Sequence, residues 1–254
     1  MAAVSLLAAD EPAPVELLRK DGAARFLLTA DHAGRAIPLG LADLGLGEAE
    51  LARHIAWDIG IAGVTRRLSA LLDAPAVLQR YSRLVIDCNR PVRVVSAFPE
   101  VSEATVVPGN VGLDEAAKAA RRAAIFAPYH EAITRMIETR GRVVYVAMHS
   151  FTPVYLGEAR PMHVAVLYHR NPRFSQALAG LLRAEPGLVV AENEPYRVSD
   201  ESDYGVPVHA ERRGLDYAEI EIRQDLIQDE AGQAAWAARL ARLLPLAADR
   251  LGGI

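Results

Sequence analysis

The sequence predicts an α/β protein, a three-layer αβα domain built on a mostly parallel or mixed central sheet. Three observations lead there. Short apolar runs of strand length alternate with longer stretches of helical period, the pattern of a sheet sandwiched between helices. One run, Val143-Val144-Tyr145-Val146-Ala147-Met148, is apolar at every position, as a strand buried on both faces requires. Polar residues follow several of these runs directly, and the carboxyl ends of strands are where open α/β sheets bind ligands. A chain of 254 residues, 51% of them apolar, can enclose one substantial core. No repeat or linker divides it, so residues 1–254 read as a single domain.

In chain order, Arg25-Phe26-Leu27-Leu28-Thr29 reads as a strand that delivers Ala30-Asp31-His32-Ala33-Gly34 into a turn. Residues 48–72 carry helical spacing at Leu51, Ile55, Ile59, Val64, Leu68 and Leu71. They predict one helix, with His54 and Asp58 four apart on one face. Residues 76–79 and Leu84-Val85-Ile86 read as strands, the second running into Asp87-Cys88-Asn89-Arg90-Pro91. With Pro99, Pro108, Gly109 and Gly112, residues 96–112 read as a long surface loop of the kind that forms lids. Residues 113–140 read as one helix, or two joined near Pro128, and the apolar strand that follows ends at His149-Ser150. A strand over 162–168, a helix over 174–183, a short strand over 188–191 and a polar loop through Val206 come next. Residues 217–223 alternate as a strand does, placing Glu219 and Glu221 on one face. An amphipathic helix over 230–244 closes the chain.

Composition narrows the function classes. A formal charge of -4 without a basic run gives no electrostatic reason to expect nucleic acid. No membrane span is evident, and the apolar opening Met1 to Ala9 is too short and too acidic behind for a good signal peptide. A single cysteine, Cys88, excludes an intramolecular disulfide and a multi-cysteine metal site and fits a reducing compartment. The expectation is a cytoplasmic enzyme.

Four polar clusters end apparent strands far apart in sequence: His32, Asp87-Asn89-Arg90, His149-Ser150 and Glu221-Arg223. Two histidines and a carboxylate with one open position make the usual catalytic zinc site, because zinc accepts imidazole nitrogen and carboxylate oxygen and keeps a water as fourth ligand. His32 and His149 supply the imidazoles and Asp58 could be the third ligand. Glu221 is the candidate base for the water, and an arginine beside the site would face the oxyanion or grip a substrate carboxylate. Ser150 lacks the Gly-x-Ser-x-Gly surroundings of a nucleophile. Each residue also has a structural reading: Asp58 and Arg83 in ion pairs, Arg90 satisfying Asp87, Glu219 merely solvated.

The local wording adds to this. Ile86-Asp87-Cys88-Asn89-Arg90, Met148-His149-Ser150-Phe151 and Ile220-Glu221-Ile222-Arg223 resemble, in the same order, three segments of zinc carboxypeptidases. In that resemblance Asn89 and Arg90 bind a substrate carboxylate, His149 is the last zinc ligand and Glu221 the general base. The pattern departs at the first ligand, since Arg35 stands three residues after His32 where those peptidases have a glutamate. The fuller resemblance is to the N-formylglutamate amidohydrolase family. It rests on His32-Ala33-Gly34, Trp57-Asp58, Tyr81-Ser82-Arg83-Leu84-Val85-Ile86-Asp87-Cys88-Asn89-Arg90, Tyr129-His130, His149-Ser150 and Ile220-Glu221-Ile222-Arg223.

That resemblance implies helices flanking a mixed sheet, Zn2+ held by His32, Asp58 and His149, and Glu221 as base. It also implies a small N-acyl amino acid as substrate, N-formyl-L-glutamate being the family's named one. Arg90, Asn89 and Arg83 would hold that substrate, with Arg223 or Arg83 facing the oxyanion. Hydrolysis of another acylated amino acid or a short peptide, or carboxylate binding without catalysis, are the competing expectations.

Overall fold

The computed structural model describes residues 6–252. Part of the apolar opening and both ends of the expected single-domain span therefore lie outside the described residues. Seven strands form the main sheet: β1 (Val15–Leu18), β2 (Phe26–Ala30), β3 (Ala76–Gln79), β4 (Val144–Phe151), β5 (Val164–Leu167), β6 (Val190–Glu192) and β7 (Tyr217–Arg223). Their spatial order is β1-β3-β2-β4-β7-β5-β6. The central run β3-β2-β4-β7 is parallel, β1 and β5 join antiparallel, and β6 pairs parallel with β5. The sheet is thus mixed with a parallel centre.

Helices cover both faces. On one side α1 (Ile61–Leu72), α3 (Arg173–Arg183) and α4 (Glu230–Asp249) pack Leu68, Leu178, Trp236 and Leu240 onto Leu28, Val146 and Ile220. On the other, α2 (Ala127–Arg140) and the loops pack Tyr129, Ile133 and Ile137 onto Leu27, Tyr145 and Tyr217. Adjacent β2 residues serve opposite cores, and the same alternation along β4 explains why it is apolar throughout: a strand between two helical layers has no solvent face. Full burial of a Leu or Ile side chain in such a core contributes roughly 1.5–3 kcal/mol.

Four local expectations are corrected. The helix drawn over 48–72 is two, Glu48–Leu51 and α1, separated by an irregular segment. The break belongs to Gly60, which adopts φ +83; a β-carbon there would sit 2.1 Å from the carbonyl oxygen of Ile227, so the chain turns where only glycine fits. Asp58 consequently lies on the turn before α1, where its N–H donates to the carbonyl of His32 at 2.9 Å. Leu84-Val85-Ile86 is buried but turns rather than forming a strand. The 96–112 segment is not structureless, since Val101–Ser102 pairs with Thr105–Val106 as a small hairpin. Finally, α4 runs on through Pro245 to Asp249. Among the described residues no helix is long and apolar enough to cross a membrane.

Candidate metal and catalytic site

Three central strands point their carboxyl ends at one place. His32 follows β2 after Asp31, His149 lies near the end of β4, and Glu221 lies beside His149 on β7. The broken helix brings Asp58 to the same point. Its position is fixed from both sides, because Oδ2 accepts from the Ser150 N–H at 3.0 Å and the Ser150 hydroxyl donates to the Ile59 carbonyl at 3.0 Å.

The two imidazoles are anchored through different ring nitrogens. His32 Nδ1 lies 3.6 Å from Asp58 Oδ1 and His149 Nδ1 lies 3.2 Å from Asp58 Oδ2. His32 Nε2 bonds Asp87 Oδ1 at 2.8 Å, whereas His149 Nε2 lies 3.2 Å from Asp31 Oδ1, which has no hydrogen bond among the described residues. A carboxylate bonded to one ring nitrogen fixes a histidine's tautomer and leaves the other nitrogen's lone pair for a metal, here Nδ1 of His32 and Nε2 of His149. Asp31, His32 and His149 also offer ligand atoms all within 4.8 Å of one another, so Asp31 is a second carboxylate in reach. Asp58 Oδ1 lies 3.6 Å from His32 Nδ1, against 4.0 Å for Asp31 Oδ1, while Asp58 Oδ2 is bonded to His149 Nδ1.

A cation fits these residues. His32 Nδ1 and Asp31 Oδ1 are buried and lack a hydrogen bond among the described residues, and an unsatisfied buried polar atom costs about 1–3 kcal/mol. The charge count agrees. Asp31, Asp58 and Asp87 converge on the histidines, while the adjacent guanidinium of Arg83 bonds Asp87 Oδ2 at 2.7 and 3.1 Å and stands 3.6 Å from Asp58. Burial and Arg83 oppose protonation of His32, yet Asp87, Asp31 and Asp58 outweigh them and raise its pKa to about 9. Burial likewise opposes a charged His149, and Asp31 and Asp58 raise it well above the ordinary value. Asp87 is held well below the carboxylate range despite its burial, by Arg83 and His32. The cluster thus calls for positive charge between the imidazoles.

The site opens into a cavity of about 480 Å³ lined in part by His32, Asp58, Arg83, His149 and Glu221. Glu219 and Glu221 share the cavity face of β7 and are buried, each with an Oε2 that has no hydrogen bond among the described residues. Burial raises Glu221 to about 7, against His149, and Glu219 to about 8. His54, expected on the Asp58 helix face, instead faces Glu103 of the small hairpin at 3.0 Å on the cavity wall.

Asn89 and Arg90 line the cavity but also hold its far wall. Asn89 Oδ1 accepts from the N–H groups of Tyr204 and Gly205 at 3.2 and 2.9 Å, and Arg90 Nη1 donates to the Ser202 carbonyl. Arg223 is not brought to the cavity. Its guanidinium pairs with Asp225 at 2.7 and 3.1 Å and donates to the carbonyls of Arg160, Pro161 and Met162. Cys88 is a packed thiol whose pKa burial pushes well up. The Tyr129-His130 pair lies behind the site, where His130 Nε2 donates to the Cys88 carbonyl at 2.9 Å and Nδ1 accepts from His209 at 2.8 Å.

Sequence reasoning missed Asp31 beside the two histidines and Asp87 behind His32, although the polar-after-strand pattern that singled out His32 and Asn89 covers both. It also missed Arg197 on the cavity rim, for which the polar loop before Val206 carries no signal.

The crystal structure of a gene product from Agrobacterium tumefaciens superposes with a TM-score of 0.93 at 37% identity, over 97% of this chain and 99% of that one. The N-formylglutamate amidohydrolase from Ralstonia eutropha superposes with a TM-score of 0.69 at 22% identity, over 95% of this chain and 100% of that one, a likeness of fold. No curated protein matches the chain. A sequence model of the N-formylglutamate amidohydrolase family matches residues 24–228, most of the chain, and the chain therefore belongs to that family.

Proposed function

We propose that the protein is a zinc-dependent amidohydrolase that cleaves the amide bond of a small N-acyl amino acid of the N-formyl-L-glutamate type. The observation that carries this reading is the convergence of the buried imidazoles of His32 and His149 with the carboxylates of Asp31 and Asp58, beside a buried carboxylate, Glu221, on the neighbouring strand. His32, Asp58 and His149 would hold the metal, with Asp87 orienting the His32 ring from behind and Asp31 a further carboxylate in reach. Bound there, the metal supplies Lewis acidity toward the amide carbonyl and makes a water acidic near neutral pH.

The chain's own groups do the rest. Glu221 takes the proton of the attacking water on its unpartnered Oε2 and returns it to the leaving amine, a task suited to a carboxyl whose pKa burial has moved toward neutrality. Arg83, fixed by Asp87 beside Asp58, presents positive charge to the oxyanion; this role passes to it from Arg223, whose bonds are spent outside the cavity. Arg90 receives the α-carboxylate through the guanidinium edge not bonded to Ser202, and Asn89 fixes the wall beside it.

A panel of N-acyl amino acids and dipeptides given to the zinc-loaded protein tests the reading. Release of free amino acid from N-formyl-L-glutamate is expected. Turnover confined to the dipeptides would move the activity to peptide hydrolysis, and no turnover of any member would exclude this function.

A further inference from the structure

Arginines and carboxylates line the cavity together, and most are paired with one another. Arg83 is bound to Asp87, and Arg90 to Ser202 with Asp203 at 3.5 Å. The third, Arg197, is exposed and has no hydrogen bond or ion pair among the described residues. The other arginines of this region are engaged elsewhere. Arg160 donates to the Tyr196 hydroxyl at 2.9 Å and stacks on Tyr155 at 4.7 Å, and Arg213 bonds the Val208 carbonyl.

The loop that carries Arg197 is nevertheless firmly seated. Val198 is buried beside it, the Ser199 N–H and the Ser202 hydroxyl both donate to Asp203 Oδ2, and Asn89 and Arg90 tie residues 202–205 to the floor of the site. A free guanidinium on a fixed loop loses little loop entropy when it captures an anion, which is the advantage of a preorganised site. The lining is otherwise dominated by carboxylates, including Glu103, Asp203, Glu219 and Glu221. A ligand group bearing negative charge needs an uncompensated cation to enter such a cavity.

From this we infer that Arg197 is the specificity residue that reads a second anionic group of the substrate, the side-chain carboxylate of an acidic amino acid, while Arg90 takes the α-carboxylate. The inference rests on the amidohydrolase reading for the identity of the substrate, but not for the binding of the amino acid moiety. Because Arg197 has no protein partner among the described residues, substitution leaves no buried group unsatisfied and the variant keeps its fold.

The test is calorimetric binding of L-glutamate and of L-glutamine, near-isosteric ligands that differ by one charge, to the zinc-loaded wild type, Arg197→Gln and Arg197→Lys. A charge-assisted pair contributes about 1.5–3 kcal/mol, so the wild type should prefer glutamate by about tenfold or more. Arg197→Gln should collapse that ratio to about one, and Arg197→Lys should retain part of it. An unchanged ratio in Arg197→Gln, or no preference in the wild type, overturns the inference. Loss of the ratio in a protein that hydrolyses no N-acyl amino acid would uphold Arg197 as the anion reader and defeat the catalytic reading instead.

Discussion

Glu221 stands directly beside His149 in the parallel ladder of β4 and β7, paired with it residue for residue. Paired residues in a parallel ladder project to the same face, so the backbone sets the spacing between the candidate base and the candidate metal ligand. On the other side Glu221 pairs with Ala165, whose small side chain leaves the carboxylate room within the cavity. A general base held this way needs no loop closure to find its place.

Removing that base without removing its shape should separate chemistry from binding. Glu221→Gln is expected to bind zinc as the wild type does and to lose about 10²–10⁴-fold in kcat, the usual contribution of a positioned acid or base. Wild-type kcat in the variant would take Glu221 out of the reaction.

The carboxylate behind His32 should set metal affinity. Asp87→Asn removes the anionic acceptor that orients His32 and should weaken zinc binding about 10–100-fold in competition with a chelator, as outer-partner changes do. Thermal unfolding of the metal-free variant checks that its fold survives the lost Arg83 pair. Zinc affinity equal to the wild type's would show that Asp87 serves only Arg83.

Arg121 is 2% exposed and ties the cavity wall together, donating to the carbonyls of Val85 and Gly109 at 3.0 Å and to Asn110 Oδ1 at 2.6 Å. Arg121→Met strands these acceptors and should lower unfolding stability by about 3 kcal/mol or more in denaturant titration. A loss under about 1 kcal/mol would mean that the 84–110 segment is held by its apolar contacts.

The buried His130–His209 pair gives the protein an acid limb. Burial, with Arg213, holds His209 at about 3, below its ordinary value of 6.5. The unfolded chain therefore binds a proton that the folded chain refuses as pH falls from 6.5 toward 3. The contribution of a neutral His209 is fully present above pH 6.5 and is lost below it, at about 1.4 kcal/mol per pH unit. The stability–pH slope of His209→Gln should be shallower than the wild type's by about that amount between pH 6 and 4. Identical slopes would contradict a neutral buried His209.

Much of this was legible in the residues. The parallel centre could be read because β4 is apolar at nearly every position, and His149, Glu219 and Glu221 could be read because polar residues on a buried strand need a purpose. What failed was local. Leu51, Ile55, Ile59 and Val64 keep helical spacing across a break that only Gly60 announces, so Asp58 was placed on a helix face when it sits on a turn. Leu84-Val85-Ile86 looked like a strand because burial makes runs apolar whatever their hydrogen bonding. Arg223 looked catalytic because it closes the polar cluster after Glu221 at a strand end and completes the Glu-x-Arg resemblance, yet nearby carbonyls and Asp225 claim it. Asp31 and Arg197 acquire meaning only in the cavity that distant segments assemble, which no single stretch of sequence records.

The central claim is that His32, Asp58 and His149 form a metal centre, and elemental analysis of the purified protein after dialysis tests it most directly. The account predicts about one zinc per chain, as a site with three protein ligands requires, and loss of that zinc in both His32→Ala and His149→Ala. A protein without stoichiometric metal, or one whose zinc survives both substitutions, would contradict it.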